Sequence, residues 1–120
     1  MSRRKILNKY QLFNQIDSST DPESEPTDIS GIDKVLYHLT VDSSVLGELK
    51  VLFCNDSVLK SDSVYVELDF NIPLTIDGSL DTEYMATVEN GGFKWLKLSY
   101  TNNAGTGNID TWISGTTIGA

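Results

Sequence analysis

Cysteine is almost missing from this 120-residue chain: Cys54 stands alone, so no internal disulfide can form. Histidine is as scarce, and a thiol nucleophile would have only His38 as its base. The expected use of Cys54 is therefore as a small hydrophobe, since it closes the run Gly47-Glu48-Leu49-Lys50-Val51-Leu52-Phe53-Cys54. Long apolar stretches are absent too. Nothing approaches the length of a membrane span, and Arg3-Arg4-Lys5-Ile6-Leu7 leads into polar residues rather than into the apolar core of a secretory signal. The expected setting is a reducing compartment, or release by a route other than secretion. Basic residues are few, nine against seventeen acids for a formal charge of −8. Four of them, Arg3, Arg4, Lys5 and Lys9, fall in the first nine positions, which leaves five lysines for everything after. A folded part so acidic excludes a surface that coats nucleic acid. The length suits one core and is too short for two.

What the chain does have is a period of two. Val35, Tyr37, Leu39 and Val41 alternate with Lys34, His38, Thr40 and Asp42, and Leu49, Val51 and Phe53 follow in the same manner. Val64, Val66, Leu68 and Phe70 against Tyr65, Glu67 and Asp69 make the cleanest alternation; then come Leu74-Thr75-Ile76 and the set Tyr84, Ala86 and Val88. Breakers lie between these runs: Ser43-Ser44 and Gly47, Asn55-Asp56-Ser57, Asn71-Ile72-Pro73, Asp77-Gly78-Ser79 and Asn90-Gly91-Gly92. Strands at intervals of about ten residues, with no helical pattern, predict an all-β chain of seven to eight strands in an antiparallel sandwich or barrel, with the antiparallel β-sandwich as the expected fold. The end of the chain reads as a hairpin, Gly91–Tyr100 and Asn108–Ser114 joined through Asn102-Asn103-Ala104-Gly105-Thr106-Gly107. It holds both tryptophans, Trp95 and Trp112, expected in the core rather than on a sugar-stacking platform. Phe93 and Trp95 share one face of their strand while Leu96, Leu98 and Tyr100 share the other, so both faces are buried or a bulge intervenes.

Before the sandwich lies a different composition. Residues 17–28 are acidic, rich in Ser and Thr, and interrupted by Pro22 and Pro26, which is linker composition. Residues 1–28 are accordingly expected as an extended N-terminal arm and acidic linker, and residues 29–120 as the β-sandwich domain. The arm carries Tyr10, Leu12, Phe13 and Ile16, to be tucked back on the domain or docked on a neighbour.

No catalytic motif is present, and the chain is expected not to be an enzyme. Carboxylate pairs are too numerous among seventeen acids for any one to be singled out. Asn55-Asp56 with Asp62, or Asp77 with Asp81, would offer oxygen ligands, but neither has the spacing of a calcium loop, and turn capping accounts for both. Gly105-Thr106-Gly107 lacks a third glycine and precedes a strand, so no helix N-terminus faces a phosphate. No metal and no cofactor is expected.

The residues Gly92-Phe93-Lys94-Trp95-Leu96-Lys97-Leu98-Ser99-Tyr100-Thr101, the Gly-Thr-Gly loop, and Asn108-Ile109-Asp110-Thr111-Trp112-Ile113-Ser114-Gly115 resemble small tailed-phage virion structural proteins. The entry Ser24–Asp33 and the strand and turn Gly47–Asp56 are similar to the corresponding parts of that family. The likeness covers roughly residues 24–119 as pattern and leaves the arm uncovered. Lys97 stands where Arg is usual and Cys54 where Ser is usual; Val64–Phe70 replaces a segment in which Trp is usual.

The resemblance implies a jelly-roll-like or discoidin-like sandwich without an active site, working as a virion component: foremost a capsid decoration or cement protein, alternatively a tail- or fibre-associated protein. A carbohydrate-binding module is the rival from another class. The implied partners are the major capsid protein or other virion proteins, and further copies of the chain within the particle. Neither a membrane nor nucleic acid is an expected partner of the folded domain. The location is the virion, assembled in the host cytoplasm. An apolar and basic segment set off from an acidic domain makes Arg3, Arg4, Lys5, Lys9, Tyr10, Leu12 and Phe13 the expected contact residues, with Asn55-Asp56 and Asn102–Gly107 as secondary candidates.

Overall fold

Alternating burial along each strand places one row of side chains between two sheets and the other row outside. In the computed structural model, which describes residues 6–67, 74–90 and 92–116, this pattern is regular in Lys34–Val41, where Val35, Tyr37, Leu39 and Val41 are buried and the intervening residues half-exposed. Eight strands are found among the described residues: β1 (Ile6–Asp17), β2 (Thr27–Asp28), β3 (Lys34–Val41), β4 (Leu46–Cys54), β5 (Leu74–Asp77), β6 (Glu83–Glu89), β7 (Trp95–Ala104) and β8 (Asn108–Thr116). They form two antiparallel four-stranded sheets, β1-β8-β3-β6 (sheet A) and β2-β7-β4-β5 (sheet B). The chain changes sheet at every connection except β4 to β5, and this order is that of a jelly roll. The expected all-β sandwich is therefore present, and of the two expected variants the strand order matches the jelly-roll one. The core between the sheets is built from Phe13, Ile29, Ile32, Leu39, Leu49, Phe53, Ile76, Leu96, Leu98, Tyr100, Ile109 and Ile113 with their neighbours.

Four expectations need correction. The terminal hairpin does not exist: β7 pairs with β4 and β2, whereas β8 pairs with β3 and β1. The Gly105-Thr106-Gly107 stretch is an arch between sheets, with Gly105 at φ +70° and set against the Ser44 carbonyl, where a Cβ would have no room. Local turn residues look the same for a hairpin and an arch; only sheet packing separates them.

The arm is not an arm. Ile6–Asp17 is β1, paired antiparallel with β8 from Ile6↔Thr116 to Asp17↔Asn108, and Phe13 is 2 % exposed inside the core. The boundary at residue 29 likewise falls inside the sandwich, because the acidic stretch is sewn onto β7. Ser24 N donates to Leu98 O at 2.8 Å, Leu98 N donates to Ser24 Oγ at 2.8 Å, and β2 pairs with Trp95 and Leu96. Hydrogen bonds to β7 order a segment that its own composition would leave loose.

The alternation at Val64–Phe70 yields no strand among the described residues. Val66 makes one isolated bridge to Phe53, while Val64 and Val66 are 72 % and 42 % exposed; residues 68–70 lie outside the described residues. Neither tryptophan belongs to the core. Trp95 and Trp112 occupy the outward positions of β7 and β8 and are half-buried there, while Leu96, Leu98 and Tyr100 point inward.

Candidate contact face

The two outer faces of the sandwich differ in how much chain lies over them. On sheet B, Trp95 Nε1 donates to the Asp56 carbonyl at 2.9 Å, and Lys94 Nζ donates to Ser57 Oγ at 3.1 Å. Lys97 Nζ is 3.2 Å from a Glu23 carboxylate and 4.1 Å from the centre of the Tyr65 ring. Lys50 lies between Glu48 and Glu67. The 55–67 loop and the 21–28 segment thus occupy that face and match its charges internally.

Sheet A presents its outward row differently. The register sets His38 opposite both Trp112 of β8 and Met85 of β6, and Leu36 opposite Ser114 and Thr87. His38 and Trp112 have ring centroids 5.4 Å apart, and Lys9 Nζ lies 5.5 Å from the Trp112 ring centre, a cation–π distance. Met85 is 62 % exposed, and Glu83 accepts a hydrogen bond at 2.9 Å from His38 Nε2 if that nitrogen carries the proton. A shallow depression of about 420 Å³, lined by Leu7, Lys9, Lys34, Leu36 and Thr87 among others, adjoins a small one at Trp112. Among the described residues no carboxylate lies within ion-pair distance of Lys9 or Lys34. The arrangement offers an aromatic and thioether surface edged with charge, suited to holding another molecule.

The expected contact residues do not share one surface. Arg3, Arg4 and Lys5 lie outside the described residues. Lys9 is exposed on the outer face of sheet A, Tyr10 is opposite Ile113 in the β1–β8 pair, Leu12 packs against the core, and Phe13 is within it. Leu36, His38, Met85 and Trp112 were missed as a group. Their alternation parity was visible, but which strands lie side by side was not.

Of the acids singled out as possible cation ligands, Asp56, Asp77 and Asp81 hold turns. Asp77 Oδ1 accepts from Ser79 N at 3.0 Å and Ser79 Oγ at 2.6 Å, Asp81 Oδ1 from Glu83 N at 3.1 Å, and Asp56 Oδ2 from Ser63 Oγ at 2.7 Å. Among the described residues no three His, Cys, Asp or Glu side chains are grouped to hold a metal ion. At the arch, Asn102 N donates to Asp21 Oδ1 at 2.7 Å, Asn102 Nδ2 to Gly105 O at 3.1 Å, and Ser44 Oγ to Thr106 O. Among the described residues no helix is long and apolar enough to cross a membrane.

Comparison with known proteins rests on shape. No family model matches the sequence, and no curated protein matches it. Among solved structures, the SPBc2 prophage-derived protein YomS superposes with a TM-score of 0.53 at 9 % identity, over 95 % of this chain and 96 % of that one. The K2 cleaved adhesin domain of Lys-gingipain gives 0.54 at 18 % identity, over 78 % of this chain and 60 % of that one. A chain of the Triatoma virus empty capsid gives 0.47 at 12 % identity, over 98 % of this chain and 90 % of that one. At these identities the first two likenesses establish a shared sandwich fold, one of whose carriers is a prophage-derived protein.

Proposed function

We propose that this chain is a phage virion structural protein that acts by protein–protein contact and not by catalysis, foremost as a capsid decoration protein. The observation that carries the reading is the end-to-end superposition on a prophage-derived protein of matching length, 95 % of one chain on 96 % of the other. The sequence resemblance to tailed-phage virion components points the same way. So does the chemistry of the described surface, where acids serve as turn caps and one sheet face is left to make contacts. Partners are the major capsid protein or its neighbours in the particle, and a tail or fibre position is the alternative within the same class.

The test is a particle assay. Particles from the phage or prophage that encodes the chain are banded on a density gradient and quantified by mass spectrometry, then imaged by cryo-EM. The chain should band with the particles at a fixed ratio to the major capsid protein and appear as density on the outer shell. Density on the tail would keep the virion role and move its place; absence from the banded particles would overturn both.

One observation favours a second reading, glycan binding: Trp112 is on an outer face beside His38 rather than in the core. A glycan array with the full chain decides it, and a blank array removes it.

A further inference from the structure

The outer face of sheet A has a direction to its charge. The register sets Lys34 level with Thr116 and Glu89, and Leu36 level with Ser114; Lys9 lies on the neighbouring stretch of β1, between Leu7↔Gly115 and Tyr10↔Ile113. The next level is His38, Trp112 and Met85. At the far end Thr40 is opposite Asp110 on one side and Glu83 on the other. The face thus runs from Lys34, beside Glu89, through an aromatic and thioether middle where Lys9 lies over Trp112, to two carboxylates. Of these, Asp110 accepts from Gln11 Nε2 and Gln15 N, and Glu83 lies 2.9 Å from His38 Nε2. Asp42 follows them beyond the end of β3 and lines the same depression as Asp110 and Glu83.

A partner of a single charge sign would match one end of this face and oppose the other. A second copy matches both ends, provided that it is turned end for end. We infer that the outer face of sheet A is a self-complementary dimer surface, on which two copies pack face to face about a two-fold axis lying in the interface plane and perpendicular to the strands. That rotation reverses strand direction and keeps β1 over β1. It brings Lys34 of each copy over Thr40 of the other, between the carboxylates of Asp110 and Glu83, and Lys9 toward the Asp110 end. A two-fold axis along the strands would instead stack lysine end on lysine end. The middle of the face, Trp112, His38, Leu36 and the 62 %-exposed Met85, comes to lie on the axis, where apolar and aromatic residues contribute most to an isologous contact. Sheet B has no such open face to offer, since the 55–67 loop and the 21–28 segment lie over it at Trp95 and Lys97. The inference stands apart from the virion reading, because it concerns the chain in solution.

The test is sedimentation equilibrium of the full chain from about 1 µM to about 1 mM, a range that spans weak and moderate dissociation constants. The wild-type chain should pass from monomer to dimer within it. Met85→Lys sets a charge on the axis from an exposed position, so the fold is kept (checked by far-ultraviolet circular dichroism) and dissociation should tighten its grip on the population, with a constant raised roughly tenfold or more. Lys34→Glu alone and Glu83→Lys alone should each weaken the dimer, since both junctions then oppose like charges. An equimolar mixture of these two variants should restore it, because in the heterodimer each junction again joins opposite signs. A wild-type chain monomeric throughout, a dimer indifferent to Met85→Lys, or a mixture no tighter than its components would overturn the inference.

Discussion

Tyr100 is 1 % exposed, its hydroxyl lies 3.4 Å from Asn102 Oδ1, and its ring packs over Gly47, where any Cβ would overlap the phenol. Burial, with the charge of Asp21 adding to it, pushes its pKa from 10.0 up to about 12. The folded state therefore favours the neutral phenol. This stabilisation is complete below the unfolded value of 10.0 and is lost as pH rises through about 12. Tyr37, also buried, is raised in the same direction by desolvation. In urea titrations the wild-type midpoint should fall steeply between pH 10 and about 12, and Tyr100→Phe should fall less steeply over that window. Equal slopes would assign the alkaline loss to other groups. That Tyr100 shares a face with Leu96 and Leu98 was legible; that this face alone points inward, with Trp95 outside, was not. Nor was the partner that fits it, a glycine fifty-three positions earlier, because Gly47 reads as a turn breaker until β4 and β7 are paired at Gly47↔Asn102 and Leu49↔Tyr100.

At the scale of elements, β1 shows most clearly where composition misleads. It is an edge strand with three irregularities of register and with Gln15 at φ +49°, features that blunt an exposed edge against unwanted pairing. Its pairing with β8 also delivers Phe13 to the core, where Phe13 N donates to Thr111 Oγ1 at 3.1 Å. Removal of residues 1–16 should therefore leave β8 without its neighbour and the core without a large aromatic. Loss of such a side chain alone costs about 3–5 kcal/mol, a large part of the stability of a small domain. The truncated chain should lose its cooperative thermal transition or form aggregates through the bared β8 edge, read by calorimetry and light scattering; a transition at the full-length temperature would return β1 to the role of a detachable arm. Proline, serine and acid between two apolar runs mark a loose segment only if no strand edge waits to receive it. Here the edge of β7 receives Ser24 and Thr27.

For the whole molecule the dominant fact is a charge of −8 on a body with a radius of gyration of 14.6 Å. Seventeen acids against nine bases leave an excess that no pairing within the chain can neutralise, so the net repulsion works against compactness. Raising ionic strength from about 0.01 M to about 0.15 M shortens the screening length from about 30 Å to about 8 Å, below the size of the protein. The thermal midpoint should rise over that range with sodium chloride; a fall would mean that specific ion pairs outweigh the repulsion. The alternation of Val35 to Val41 and of Leu49 to Phe53 determined by itself that the chain would be all-β with one buried side to each strand, because a period of two can bury only alternate residues. The acidic excess likewise determined what the surface would repel. Only the tertiary structure decided that β7 and β8 part company into different sheets, that Ile6–Asp17 closes an edge, and that Leu36, His38, Met85 and Trp112 meet on one face. Parity along a strand is local and carried by the sequence, whereas adjacency between strands far apart in the chain is chosen by how the whole core fills.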